Sequence, residues 1–352
     1  MVQQRTNMVI INEKGKPISS IRFSFMIPVP SGVVTVKSIK NKPSPEYRRL
    51  LDLELRFCRK NEKAIRRMAK HIHNNTERCI PMENNIQVEY RISPDSDTLA
   101  KSAAAYFLGS IKKYVADKGY ARIAISGGNT PKKTLESLSD YEGEFFGLMP
   151  WNQIQLFFVD ERMVPPDDLD SNYKMVREAM LDKTPLKPSQ IYRIYGELEP
   201  NEAALQYESA IRDCFSLKNK VRPIFDMIQL GMGDDGHTAS LFPNTDALYQ
   251  QARIAVANYV PQKDTWRVTL THPVINAATD VFFLISGKDK AEPLRRVLCG
   301  DYEPENLPAQ LIQPQSGKLL LLLDKDAAAQ LPAPDVNGVG RLTVPFSTIT
   351  AN

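Results

Sequence analysis

A histidine stands two residues after a pair of aspartates in the run Phe-Asp-Met-Ile-Gln-Leu-Gly-Met-Gly-Asp-Asp-Gly-His-Thr-Ala-Ser-Leu-Phe-Pro, residues 225–243. Imidazole is the side chain whose ordinary pKa suits proton transfer near neutral pH, and a carboxylate beside it can fix its orientation. His237, close to Asp234 and Asp235, is therefore a candidate general base. The apolar residues Met227, Ile228 and Leu230 read as a buried strand, and Gly231, Gly233 and Gly236 allow a tight turn after it. Thr238 to Leu241 is expected to open a helix, which places His237 at the carboxyl end of a strand, where open α/β sheets bind ligands. The same glycines spell G-x-G-x-x-G, but Asp234 and Asp235 would set carboxylates where a pyrophosphate should sit. The next strand-like run, Arg253 to Ala257, ends at Asn258 with no acid for a ribose, so the dinucleotide reading is rejected.

Two further loops carry chemistry. Ser126-Gly127-Gly128-Asn129-Thr130-Pro131 follows the strand Ala121 to Ile125. With Thr130 as N-cap and Pro131 as first helical residue, it presents free backbone N–H groups at the positive end of a helix dipole. The Lys of a Walker A loop is missing, which favours a sugar phosphate over a nucleoside triphosphate. After Ile154 to Val159 come Asp160, Glu161 and Arg162: Arg162 suits a phosphate clamp, and the carboxylates suit acid–base or orienting work. Alternation along residues 266–271 sets Arg267, Thr269 and Thr271 on one face, and Lys288 follows the strand Val281 to Ile285. Together these basic groups make an anion site.

The elements that must position these loops alternate. Strands at Val88 to Ile92, Ala121 to Ile125, Ile154 to Val159, Asp226 to Leu230, Arg253 to Ala257, Arg267 to Leu270, Val281 to Ile285 and Lys318 to Leu323 are separated for the most part by helices. The helices are expected at Asp97 to Ala116, Lys132 to Leu138, Tyr173 to Leu181, Glu202 to Phe215 and Lys290 to Leu298. Such alternation predicts a mainly parallel, Rossmann-like α/β sheet flanked by helices.

The chain has 352 residues, 42% of them hydrophobic, with no apolar run long enough to span a membrane. Cys58, Cys79, Cys214 and Cys299 lie far apart, which suggests neither a zinc site nor a disulfide framework and is consistent with a reducing cytoplasm. The net charge of +4 conceals an asymmetry: residues 1–81 hold 17 Lys+Arg against 6 Asp+Glu, and the remainder holds 28 against 35. The first part is thus a basic N-terminal extension, with a turn at Gly15-Lys16-Pro17 between two β-rich runs and a basic helix over Glu46 to His73. A solvated basic helix is expected there in preference to a nucleic-acid or membrane surface. One reading makes Met82 the biological start and leaves residues 1–81 outside the native globular protein.

The motifs SGGNTP, FFVDERMVP, DLDSNYKM, LGMGDDGHTASLFP, WRVTLT and FLISGKDKA, in this order, resemble the 6-phosphogluconolactonase family of the glucosamine-6-phosphate deaminase/isomerase-like group. The resemblance covers about residues 86–330 and leaves out residues 1–81. It implies a catalytic domain over residues 82–352 that hydrolyses 6-phospho-D-glucono-1,5-lactone without metal or other cofactor. His237 would then be the base, with Asp235 or Asp160 orienting it. Gly127, Gly128, Asn129 and Thr130, with Arg162, Arg267 and Lys288, would hold the phosphate and sugar hydroxyls. The expected partner is a phosphorylated sugar lactone, with no membrane and no nucleic acid.

Deaminases of the same group carry D-E-Y where this chain has Asp160-Glu161-Arg162, and a glutamate at the position of Phe242. A phenyl ring cannot accept a proton as that carboxylate does. The alternatives are such a deaminase or a phosphosugar-binding regulator that has lost its chemistry.

Overall fold

The computed structural model describes residues 85–345, apart from 219–220 and 316–317. The turn and basic helix expected within residues 1–81, and the start at Met82, lie outside the described residues.

Strand β1 (Asn85–Ser93) leads into helix α1 (Ser96–Lys118), which is capped at one end by Asp95 and ended by Gly119 in the left-handed region at φ 86°. The Asp95 carboxylate accepts the otherwise unpaired N–H groups of Asp97 and Thr98, and only glycine enters the left-handed turn without a Cβ penalty. Leu99, Ala103, Phe107 and Ile111, spaced by four, are buried as the periodicity predicts.

The chain continues through β2 (Ala121–Ile125), α2 (Asn129–Ser139), β3 (Ile154–Phe158), β4 (Asp160–Arg162), α3 (Asn172–Ala179), β5 (Ile191–Tyr192) and α4 (Pro200–Cys214). It then forms β6 (Met227–Leu230), β7 (Ala255–Val260), β8 (Thr265–Leu270), α5 (His272–Asn276), β9 (Asp280–Ile285), α6 (Ala291–Cys299), β10 (Lys318–Asp324) and β11 (Val339–Pro345). Eight strands make the main sheet in the order β11-β1-β10-β9-β6-β2-β3-β5, parallel throughout except that β11 runs antiparallel to β1. Every residue of β6 is buried, because helices cover both faces of such a sheet. From β2 the order runs outward through β3 to β5, and from β6 the other way through β9 and β10. The β2/β6 boundary is therefore a topological switch point, and the crevice beyond its carboxyl edge is the ligand position of this architecture.

The strands expected at 253–257 and 267–270 do not join the parallel sheet. They form β7 and β8 of a separate antiparallel sheet, ordered β4-β8-β7. The four residues between them, with Asp264 in the left-handed region at φ 45°, make a hairpin, whereas a parallel crossover needs a dozen or more. Val159 joins the two sheets, since its N–H donates to Ile125 O and its carbonyl accepts from Leu270 N. The buried Tyr207 hydroxyl donates to Phe158 O and accepts from Phe158 N, completing the pairing at the end of β3.

Candidate active site

The carboxyl ends of β2, β3 and β6 bring the chemistry-bearing loops together. After β6, His237 sits against the Cα of Gly233, where an added Cβ would lie 2.1 Å from the imidazole Nδ1. Its Nδ1 is 2.5 Å from Asp235 Oδ1, which also accepts the His237 backbone N–H at 3.0 Å. Burial opposes ionisation of Asp235, but the hydrogen bonds and charge of His237 outweigh it and hold the carboxyl below its usual pKa. In the neutral ring, an ionised Asp235 favours the tautomer with the proton on Nδ1, which leaves Nε2 as the acceptor. Of the two orienting carboxylates expected, the structure thus brings Asp235 to the imidazole. The buried Asp160 instead accepts from Ser240 Oγ at 2.6 Å.

No helix opens after His237. Thr238 and Leu241 form an isolated bridge around Ala239, which adopts φ 52°, and the next element is the short 3-10 turn Asp246–Tyr249. A left-handed alanine is strained, and its neighbours hold it: Ser240 N donates to Thr269 Oγ, and Asn258 Nδ2 donates to Ser240 O and Thr245 Oγ. The Phe242 ring is buried and stacks on the His237 imidazole, with centroids 3.9 Å apart and planes at 17°. The Arg267 guanidinium lies 5.4 Å from the centre of the same ring.

Arg267 on β8 faces Arg162 on β4 in direct antiparallel register, and both Nε atoms are buried without a hydrogen-bond partner. Among the described residues neither guanidinium has a carboxylate in ion-pair range, although an Arg162 nitrogen donates to Asp170 O. Burial lowers the Arg267 pKa, the charge of Asp160 opposes this and that of Arg162 adds to it. Two cations set side by side with unused donors favour an anion between them. Glu161, expected to act in the site, serves structure: its carboxylate accepts from Ser171 Oγ and from the N–H groups of Arg162, Asn172 and Tyr173 at the start of α3. Burial nevertheless pushes its pKa up.

The turn after β2 differs from expectation at its cap. Helix α2 begins at Asn129 with Gly128 as N-cap at φ 113°, so Thr130 lies inside the first turn rather than capping it. No side chain caps this end, which leaves the first N–H groups of the helix without a side-chain acceptor. Asn172 packs so closely on Gly127 that a Cβ there would lie 1.9 Å from Asn172 Oδ1, and Asn172 Nδ2 donates to Asp160 O. Lys288 is exposed after β9 and pairs with nothing among the described residues. The turn preceding it is held by Asp324, which accepts from Gly287 N. A surface groove of about 700 Å³ between α1 and α2 is lined by none of these residues. Its charges are mixed, with Lys133 paired to Asp97.

The sequence gives Thr269 a place beside Arg267 on one strand face but no signal for Ser240 or for the side chain of Asn258, because what ties the three together is the strand-and-turn geometry around Ala239. His272, at the start of α5, is a second described histidine of a different kind. Burial drives its pKa down to about 4; Leu248 O opposes the shift and the charge of Arg222 adds to it. Its Nε2 lies 3.1 Å from the Gln251 amide nitrogen, which makes Nε2 an acceptor and the ring neutral. The folded pKa is below the unfolded value near 6.5, so this stabilisation, at most about 3 kcal/mol, is complete above that pH and is lost as pH falls through 4. Urea unfolding from pH 7 to 4 is expected to show a steeper loss of stability in the wild type than in His272→Gln. Parallel curves contradict this.

These features define a doubly wound α/β protein with a histidine–carboxylate pair and two facing arginines at the carboxyl edge of its strands. The family model described as glucosamine-6-phosphate isomerases/6-phosphogluconolactonase matches residues 94–321, and the chain belongs to that family. The 6-phosphogluconolactonase of Synechocystis is 40% identical over 223 residues, covering 63% of this chain and 89% of that protein. That of Nostoc is 36% identical over 242 residues, covering 68% and 97%. The solved 6-phosphogluconolactonase of Trypanosoma cruzi superposes with a TM-score of 0.61 at 26% identity, covering 69% and 96%. A second family model, described as toxin ToxN of type III toxin-antitoxin systems, matches residues 2–93. The last part of that match is β1, which pairs with β10 and β11 in the main sheet.

Proposed function

We propose that the chain is a cytoplasmic 6-phosphogluconolactonase, which hydrolyses 6-phospho-D-glucono-1,5-lactone to 6-phosphogluconate in the oxidative pentose phosphate pathway. Residues 82–352 form its catalytic domain. The observation that carries this reading is the contact of His237 with Phe242. Where deaminases of the group carry a glutamate, this imidazole meets a phenyl ring at 3.9 Å and finds its carboxylate in Asp235 instead.

His237 Nε2 takes a proton from water as the water oxygen bonds to the lactone carbonyl carbon. The imidazolium returns that proton to the ring oxygen as the carbon–oxygen bond breaks. The N–H groups of Gly233, Gly236 and His237 donate within their own loop. Charge developing on the carbonyl oxygen is met by the remaining N–H groups of that loop, such as that of Asp234, or by a nearby basic side chain. Gly127, Gly128, Asn129 and Thr130, with Arg162, Arg267 and Lys288, hold the phosphate and hydroxyls, and Asp160 positions the histidine loop through Ser240. No step calls for a metal or cofactor.

The test is hydrolysis of freshly generated lactone by the purified chain, with spontaneous hydrolysis subtracted and glucosamine 6-phosphate assayed in parallel. Acceleration of the lactone reaction alone is expected. Turnover of the amino sugar, or phosphosugar binding without either reaction, overturns the proposal in favour of a deaminase or a regulator.

A further inference from the structure

Gln229 is the polar residue in the otherwise apolar strand Met227–Leu230, and its side chain is 1% exposed. It stands at the floor of the switch-point crevice, where pairing between β2 and β6 ends at Ala124 and Ile228. There it takes over the joining of the two strands. Its Oε1 accepts the Ser126 backbone N–H at 3.0 Å, and its backbone carbonyl accepts Ser126 Oγ at 3.1 Å. Its Nε2 is buried with no hydrogen-bond partner. An apolar side chain would remove the unmatched Nε2 but leave the buried Ser126 N–H without its acceptor, so the amide at this position answers a constraint set by the turn that Ser126 begins.

The constraint lies in what Ser126 precedes. Gly127 and Gly128 follow immediately, and Asn172 grips Gly127 from the other side. The turn is thus held between β6 and α3. Two residues beyond Gln229, Gly231 O accepts Thr238 Oγ at 2.8 Å, so the same strand end also anchors the loop of His237. We infer that Gln229 is a positioning residue that sets the anion-binding turn Ser126–Gly128 in register with the histidine loop. This rests on the reading of that turn as the phosphate site.

The test compares Gln229→Leu with wild type by lactone kinetics, inhibition by inorganic phosphate and thermal unfolding without phosphate. Losing one positioning hydrogen bond is expected to raise KM and the phosphate inhibition constant together, by about tenfold, with kcat within about twofold. The melting temperature should change little, because the Ser126 N–H left without its acceptor is offset by removal of the unmatched Nε2. A lowered melting temperature with unchanged KM and phosphate inhibition gives Gln229 a purely structural role and overturns the inference, as does no change in any readout. Gln229→Met answers the same question if the leucine variant does not fold. Gly128→Ala separates the two levels: with φ at 113° it distorts the turn itself. If Gly128→Ala leaves KM unchanged, the phosphate-site reading fails. If it raises KM and Gln229→Leu does not, only the role of Gln229 fails.

Discussion

His237→Ala is expected to lower kcat for lactone hydrolysis by about 10²- to 10⁴-fold, the usual range for a general base, with little change in KM. The imidazole is held on three sides: Asp235 binds Nδ1, Gly233 leaves no room for a Cβ beneath the ring, and Phe242 stacks on it. This is an arrangement for aiming Nε2, and the aim is lost with the ring. The residues proposed to hold the phosphate lie on other elements, so substrate should still bind. The measurement is the difference between enzymatic and spontaneous hydrolysis at saturating lactone. A variant that keeps full turnover places the base elsewhere. Asp235→Asn is expected to lower kcat less, since Phe242 and Gly233 still hold the ring while the carboxylate that fixes the proton on Nδ1 is gone.

The same residues mark how far the sequence could be read. The parallel framework was legible because its signals are local: β2 is found at Ala121–Ile125 as expected, and α1 extends its expected bounds by only one or two residues at each end. The histidine, its glycine turn and the arginines were legible by residue type. The antiparallel sheet was not. Its strand β4 has three residues, two of them buried acids, and buried carboxylates in a short polar run look like a loop until partners are in view. Glu161 looked chemical for the same reason, and its use in accepting the first N–H groups of α3, beside the Ser171 N-cap, depends on contacts ten to twelve residues away. The turn at Ala239 replaced an expected helix because tertiary hydrogen bonds stabilise a left-handed backbone that local propensity disfavours. Gln229 left a visible signal, an amide among Met227, Ile228 and Leu230, whose meaning depended on which strand lay beside it.

Removing either facing arginine is expected to have the second-largest effect, and mainly on binding. A charge-assisted hydrogen bond contributes about 1.5–3 kcal/mol, so Arg162→Ala or Arg267→Ala should raise KM by roughly 10- to 100-fold. The pair also makes an unusual prediction for stability. Like charges directly opposite on paired strands destabilise a sheet, and here each has a buried Nε without a partner. Phosphate should therefore raise the melting temperature of wild type by filling the gap between them. Arg162→Ala should lose that shift while matching or exceeding wild type without phosphate. Arg267→Ala is the less clean probe, because its guanidinium also lies over Phe242 and its loss reaches the ring under His237. Arg162→Lys distinguishes charge from geometry: an ammonium restores the positive field but lacks the planar fork, so it should recover only part of the affinity. If Arg162→Ala leaves KM and the phosphate-induced shift intact, the two arginines do not hold the phosphate, and their juxtaposition needs another anion to account for it.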